Sequence, residues 1–330
     1  MPKLLITGGV LRPNGFELGE GKYYGCAKLL RLDTETGHVE ELISISEGNE
    51  NFPDEYPNLE FTVGYVDGKN LWLPTDTEIR LYSYPELKLQ KTFSHPCFHN
   101  IHSVNVHENR LYVTSTGLDM VVVLDKDSGE ILEYLNAEGK ETWHRFSEDV
   151  DYRKVHSTRP HDSHPNFVFW NRGKPWVTRC TQEDAVDLTD VNSRIDISGP
   201  DKEISVHDGI VVGDKVYFTS VDGYIIIGDL NTHETLESIN LNEFENYGPV
   251  RGWCRGLHVE GDTFYLGYSL LRKTRRLDKL KWLSKLVNRG SIREECSVLA
   301  VDLKKRKVLA DYPISSESIS AIYSILEEPK

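Results

Sequence analysis

A strand–turn–strand unit recurs along this chain, and that recurrence limits the architectures open to it. Residues 99–115 read HNIHSVNVHENRLYVTS, and residues 207–220 read HDGIVVGDKVYFTS. With His102 set over His207, the two agree at Val106/Val211, Arg110/Lys215, Tyr112/Tyr217, Thr114/Thr219 and Ser115/Ser220. A third copy, HPNFVFWNRGKPWVTR, places His164 at the histidine position, with a longer turn before Lys174. A fourth, RGLHVEGDTFYLGYS, has Arg255 there and keeps Val259, Gly261, Asp262 and Tyr265 in step. A weaker fifth, TVGYVDGKNLWLPT, has Thr62.

Three of these copies run on into two further strand-like segments, joined by polar turns that open on Asp125, Asp229 or Asp302. Four short antiparallel strands in a unit of roughly 45 residues is the pattern of a β-propeller blade. The chain opens on KLLITGG and AKLLRLDTETGHVEELIS, three strands lacking a first one, and closes on SISAIYSIL, a strand lacking successors. One blade shared between the two ends resolves both. The expectation is therefore an all-β, six-bladed propeller over residues 1–330, a single domain closed by its C-terminal strand in the N-terminal blade. Closure of this kind removes the additional exposed edges that the two incomplete ends would leave.

Two motifs lose their meaning in that frame. The ITGG segment lacks the glycine spacing and following helix of a dinucleotide loop. The DKDSGE segment lacks the distal ligands of a calcium loop. Both read as turns.

Charge and cysteine content exclude several function classes. Fifty-two acidic against 38 basic residues give a net charge of −14, which argues against nucleic acid as a partner. Five cysteines without CxxC spacing suggest packed thiols, not a disulfide framework or a zinc site. No apolar run approaches the roughly 20 residues of a membrane span, and MPKLLITGGV lacks the features of a secretory signal, so a cytoplasmic protein is expected. Residues 272–293 are the exception in charge, with nine Lys/Arg and one acid. Leu277, Leu280, Leu283 and Leu286 at near-helical spacing, with Gly290 as a cap, predict a short basic amphipathic helix inserted in the last blade. It packs across the rim, or it contacts an anionic substrate, an acidic partner or a membrane surface.

The first strand of each blade lines the central channel, so equivalent positions in successive blades converge. His102, His164 and His207 then form a plausible three-imidazole set for a divalent metal ion, with iron(II) favoured and zinc or manganese as options. Arg255 beside them suits a carboxylate or phosphate. His99 and His161, each three residues before a ring histidine, are secondary candidates. Asp162 and Asp208 adjoin the ring as orienting or proton-transferring carboxylates. A purely structural role for the histidines also predicts a repeated position. Against it, histidine is confined to three consecutive blades. No serine lies in GxSxG, and no thiol has a base at defined spacing.

The order HSV, HPN with GKPWVTR, HDG, RGLHVEGDTFYLGYSLLR and ISAIYSIL resembles an uncharacterised bacterial family of six-bladed propeller-like proteins, over about residues 95–327. The resemblance implies the same fold and the same ring, adds Asn166 of HPN to Arg255 as a substrate-binding candidate, and supplies no reaction. Phe167 departs from the small residue of that pattern. Carotenoid-cleaving oxygenases and streptogramin lyases are similar at the level of fold, with histidines at or near a propeller axis. The expected function is a metal-dependent enzyme acting on a small anionic molecule at the propeller axis. The alternative is a non-catalytic propeller that binds a ligand or protein on its rim.

Overall fold

The computed structural model describes residues 2–198, 205–271 and 291–329. Three strands open the chain: β1 (Lys3–Leu11), β2 (Tyr24–Asp33) and β3 (Val39–Ile45). The next blade holds β4 (Tyr65–Asp67), β5 (Asn70–Pro74), β6 (Ile79–Ser83) and β7 (Leu89–Phe93). It is followed by β8 (Ile101–His107), β9 (Arg110–Ser115), β10 (Met120–Asp125) and β11 (Ile131–Asn136). The fourth blade is β12 (Pro165–Asn171), β13 (Lys174–Arg179), β14 (Asp184–Asp187) and β15 (Asp190–Asp196). The fifth is β16 (Val206–Val212), β17 (Lys215–Ser220), β18 (Tyr224–Asp229) and β19 (Thr235–Asn240). The sixth is β20 (Cys254–Glu260), β21 (Thr263–Tyr268), β22 (Cys296–Asp302) and β23 (Lys307–Ile314). The last strand, β24 (Ala321–Glu327), returns to the first sheet, whose order is β24-β1-β2-β3. Six four-stranded antiparallel sheets form a closed six-bladed propeller, as the repeat and the incomplete ends require.

Closure explains the glycines of ITGG. On β1, Leu4 faces Glu327 and Gly9 faces Ala321. A Cβ on Gly8 would lie 1.9 Å from the Ala321 carbonyl oxygen, so only glycine lets the closing strand approach.

Local chemistry repeats with the blades. The inner hairpins β4–β5, β8–β9, β12–β13, β16–β17 and β20–β21 each turn through two residues, with Gly68, Glu108, Arg172, Gly213 or Gly261 at positive φ in the first turn position. That conformation matches the right-handed twist of the flanking strands. The aspartates that open the later turns cap them: Asp125 accepts from the backbone N–H groups of Asp127 and Ser128 at 3.0 and 2.7 Å, and Asp229 does the same for Asn231 and Thr232. DKDSGE is such a turn. The repeated tyrosines pack between blades, Tyr112 against Trp170 and Tyr217 against Phe264.

Apolar residues alternate along the strands and bury between neighbouring blades. Trp72 and Phe93 of one blade meet Val104, Leu111, Val113, Met120 and Val122 of the next. Each such side chain contributes about 1.5–3 kcal/mol when fully buried. All five cysteines are free thiols. Among the described residues no helix is long and apolar enough to cross a membrane. The helix expected within 272–293 lies outside the described residues, except for Ser291–Arg293.

Candidate functional site: an imidazole-lined axial cavity

The inner strands β8, β12, β16 and β20 share an irregularity. Their register with the next strand slips between Ile101 and Val104, Pro165 and Phe167, His207 and Ile210, and Cys254 and Leu257. Such a bulge leaves a residue out of the ladder and re-aims its side chain. His102, Asn166 and Arg255 are left out of the ladder at that point, whereas His207 is the last paired residue before the slip, opposite Thr219. The repeated threonines mend the bulge. The Ser103 N–H donates to Thr114 Oγ1 at 2.8 Å, the Phe167 N–H donates to Thr178 Oγ1 at 3.0 Å, and Thr219 donates its hydroxyl to Asp208.

This register corrects the alignment of the third copy. Asn171 faces Lys174 as His107 faces Arg110, so the turn is no longer than the others. Asn166 occupies the ring position, and His164 lies two residues upstream, outside β12. The two extra residues stand before the strand, where a loop absorbs them without disturbing the ladder.

His164 reaches the cavity from that loop. Its φ is +54°, a left-handed conformation uncommon for a residue with a side chain. Buried Asp119 holds the loop in place: Oδ1 accepts from the N–H groups of Ser163 and His164, each at 2.9 Å, and Oδ2 from the N–H of Asp162 and from Arg145. The ring centroids of His102 and His164 are 4.8 Å apart, and those of His102 and His207 are 6.2 Å apart. His161 meets His164 edge to edge, with ring centroids 4.9 Å apart and Nδ1 atoms 2.6 Å apart. Burial holds His102 well below the usual histidine range, reinforced by His207, Arg255 and His161. Burial does the same for His164, and it takes His161 down to about 4. These three imidazoles are neutral at neutral pH.

His102, His164, His207, His161, His99 and Arg255 all line one cavity of about 450 Å³. Arg255 is 3% exposed. Its Nε donates to the Ile322 carbonyl at 2.9 Å, and its guanidinium lies 3.6 Å from the centre of the Tyr323 ring. Its Nη2 is buried with no hydrogen-bond partner. A buried guanidinium donor without an acceptor is costly to leave unmatched, and an anion in the cavity would match it.

Four candidates stand apart from the cavity walls or serve other ends. Asp208 does not line this cavity but a second one of about 630 Å³, and its carboxylate accepts from Thr219 and from the Gly256 N–H at 3.0 Å. Burial raises it to about 6 against those hydrogen bonds. Asp162 pairs with Arg145 at 2.8 Å and Lys140 at 3.5 Å on the outer side of the loop. Asn166 donates to the Val206 carbonyl at 2.7 Å, its Oδ1 is buried without a hydrogen-bond partner, and the residue does not line the first cavity. His99 donates through Nε2 to the Val155 carbonyl at 2.9 Å, and its Nδ1 faces Gly117 so closely that a Cβ there would lie 1.8 Å away. Phe167 lines the second cavity and leaves the wall of the first unaltered.

Several lining residues went unread in the sequence. Glu60, Asn100, Ser205 and Trp253 stand two residues before Thr62, His102, His207 and Arg255, the offset His164 has from Asn166. Reading each copy at that offset would have found the second tier. Asp76, from the turn between β5 and β6, lines the cavity at the position that Cys180 and Val221 hold in other blades. Asn58 bridges the two acids, with Nδ2 2.9 Å from Glu60 Oε1 and 3.4 Å from Asp76 Oδ1.

Among the described residues, no three His, Cys, Asp or Glu side chains already converge as a metal-holding group. No protein-family model and no curated relative matches the chain. Solved structures do. A protein of unknown function from Bacteroides caccae is similar at a TM-score of 0.63 and 11% identity, over 100% of both chains. A chain of a nidogen/laminin complex is similar at a TM-score of 0.57 and 11% identity, over 98% of this chain and 97% of that one. At that identity both likenesses concern the fold alone: this chain is built as a six-bladed propeller.

Proposed function

We propose that this protein is an enzyme acting on a small anionic molecule bound in the axial cavity. The observation that carries the reading is the buried, unmatched Nη2 of Arg255 in the same cavity as the neutral imidazoles of His102 and His164. Arg255 holds the anionic group, and its stacking on Tyr323 and its bond to Ile322 fix the direction of the free donor. The cavity is wide enough for a small metabolite and too small for a polymer.

His102, His164 and His207 are the residues that would hold a divalent ion, with iron(II) the favoured species and zinc or manganese compatible with the same donors. The donor chemistry suits it: ligating imidazoles must be neutral, and bound rings stand about 5 Å apart when each nitrogen is about 2 Å from the ion. His161 at His164 is the kind of orienting partner that a ligand histidine carries. Because the rings do not yet converge, uptake requires rotation of the side chains. Such an ion supplies Lewis-acid activation. The resemblance to the motif family agrees with the same ring and adds no reaction.

The test separates the two parts. Untagged protein prepared under metal-replete, oxygen-free conditions is expected to carry about one equivalent of metal, lost in His207→Ala with the fold intact. Sulfate is expected to bind wild type and to fail with Arg255→Ala. No metal under those conditions ends the metal assignment, and no sulfate binding ends the anion site. If both fail, the non-catalytic propeller with structural histidines stands.

A further inference from the structure

We propose that Asp76 is the proton donor of the axial cavity, with Glu60 as the neighbour that keeps the proton on it. The inference rests on the reading of the cavity as a small-molecule site and adds a catalytic group that the histidine ring did not reveal.

Hydrogen-bond accounting locates the proton. The Tyr24 N–H donates to Asn58 Oδ1 at 3.0 Å, which turns the Asn58 Nδ2 toward the two acids. Glu60 accepts from that Nδ2 on Oε1 and from the Tyr323 hydroxyl on Oε2. Asp76 receives only the long 3.4 Å contact, and no basic side chain pairs with it among the described residues. Asp76 is 5% exposed and Glu60 is 4% exposed. Two neighbouring buried carboxylates do not both ionise readily. The donors favour charge on Glu60, so the proton stays on Asp76. Burial, then Glu60, and less strongly Glu20, push Asp76 up to about 8 against the Asn58 bond.

Geometry ties the pair to the anion site. Tyr323 holds Glu60 through its hydroxyl and carries Arg255 on its ring face, so one aromatic side chain spaces the guanidinium from the acids. The unmatched Arg255 Nη2 is the independent sign that a ligand belongs between them. In the step itself, the Asp76 O–H bond breaks and its proton passes to an oxygen or nitrogen of the bound molecule. The electron pair remains on the Asp76 carboxylate, and solvent reprotonates it when the product leaves.

Sulfate is the probe, because its own titration lies far below neutral pH. Calorimetric titration from about pH 6.5 to about 9.5 is expected to show wild-type affinity falling up to about tenfold per pH unit above about pH 8, as Asp76 becomes a carboxylate beside the anion. Asp76→Asn is expected to be flat across that range, and Glu60→Gln to move the break to lower pH. The other charged groups on the wall of this cavity are Glu60, Glu20, Arg159, which pairs with Glu20, and Arg255; His156 and His207 also line it, and His99, His102, His161 and His164 stay neutral throughout. Infrared difference spectra at pH 7 should show a protonated carboxyl band that Asp76→Asn removes. A flat wild-type profile, a break that survives in Asp76→Asn, or a missing band overturns the proposal. If sulfate binds at no pH, the anion site itself has failed, and the infrared band alone decides where the proton sits.

Discussion

His161 and His164 meet through their Nδ1 atoms at 2.6 Å, a separation that admits one proton between them. One ring donates and the other accepts, so His161 fixes the rotation of His164 and leaves Nε2 of that residue for the cavity. His161→Ala is therefore expected to leave the fold unchanged by circular dichroism and to weaken metal uptake ten- to a hundredfold, about the cost of losing an orienting partner. Unchanged affinity, measured by competition with a chromogenic chelator, would reject this role.

Asp119 is the anchor of the same loop. Its loss strands the buried N–H groups of Ser163 and His164 and the paired Arg145. Asp119→Ala is expected to lower unfolding free energy by about 3 kcal/mol or more in urea titrations. Asp119→Asn, which keeps the acceptor oxygen, should recover part of it.

Acid sensitivity follows from His99. Burial takes it down to about 4, so in the folded state it resists a proton that the unfolded chain accepts near pH 6.5. The unfolded state then binds more protons between these values, and stability falls as pH drops from about 6.5 to about 4, by about 3 kcal/mol at most. Comparing urea midpoints of wild type and His99→Gln at pH 7 and pH 4.5 isolates the effect. The gap between the two proteins should shift in favour of the variant at the lower pH.

Closure predicts a strong truncation effect. Ile322 and Ile325 of β24 are buried, and β1 depends on that strand for its second edge. A chain ended at Ser320 is expected to lose its cooperative melt and to aggregate, as exposed edges do. A native-like thermal transition in the truncated chain would show that the other five blades suffice.

The blade count and its closure were legible because they are written locally. Alternating strands, two-residue hairpins and Asp-capped turns each rest on interactions within a few residues, and the shared first blade follows from the two incomplete ends. The choice of His102, His207 and Arg255 was equally legible, since each holds the same position in its copy of the repeat. His164 was reached through a wrong register: a count of residues cannot say whether two extra ones lie in the turn or before the strand.

The repeat alone thus determined a six-bladed ring with histidines near its centre. Only the tertiary structure decided what surrounds them. Glu60 and Asp76 come from separate connections and form no local motif, yet folding sets them beside Asn58 and across from Arg255. Asp208 and Asp162, adjacent to ring positions in sequence, were turned toward a second cavity and toward solvent by a bulge and a loop. The physical reason is that proton affinity and pairing depend on burial and on neighbours through space, which the order of residues does not record.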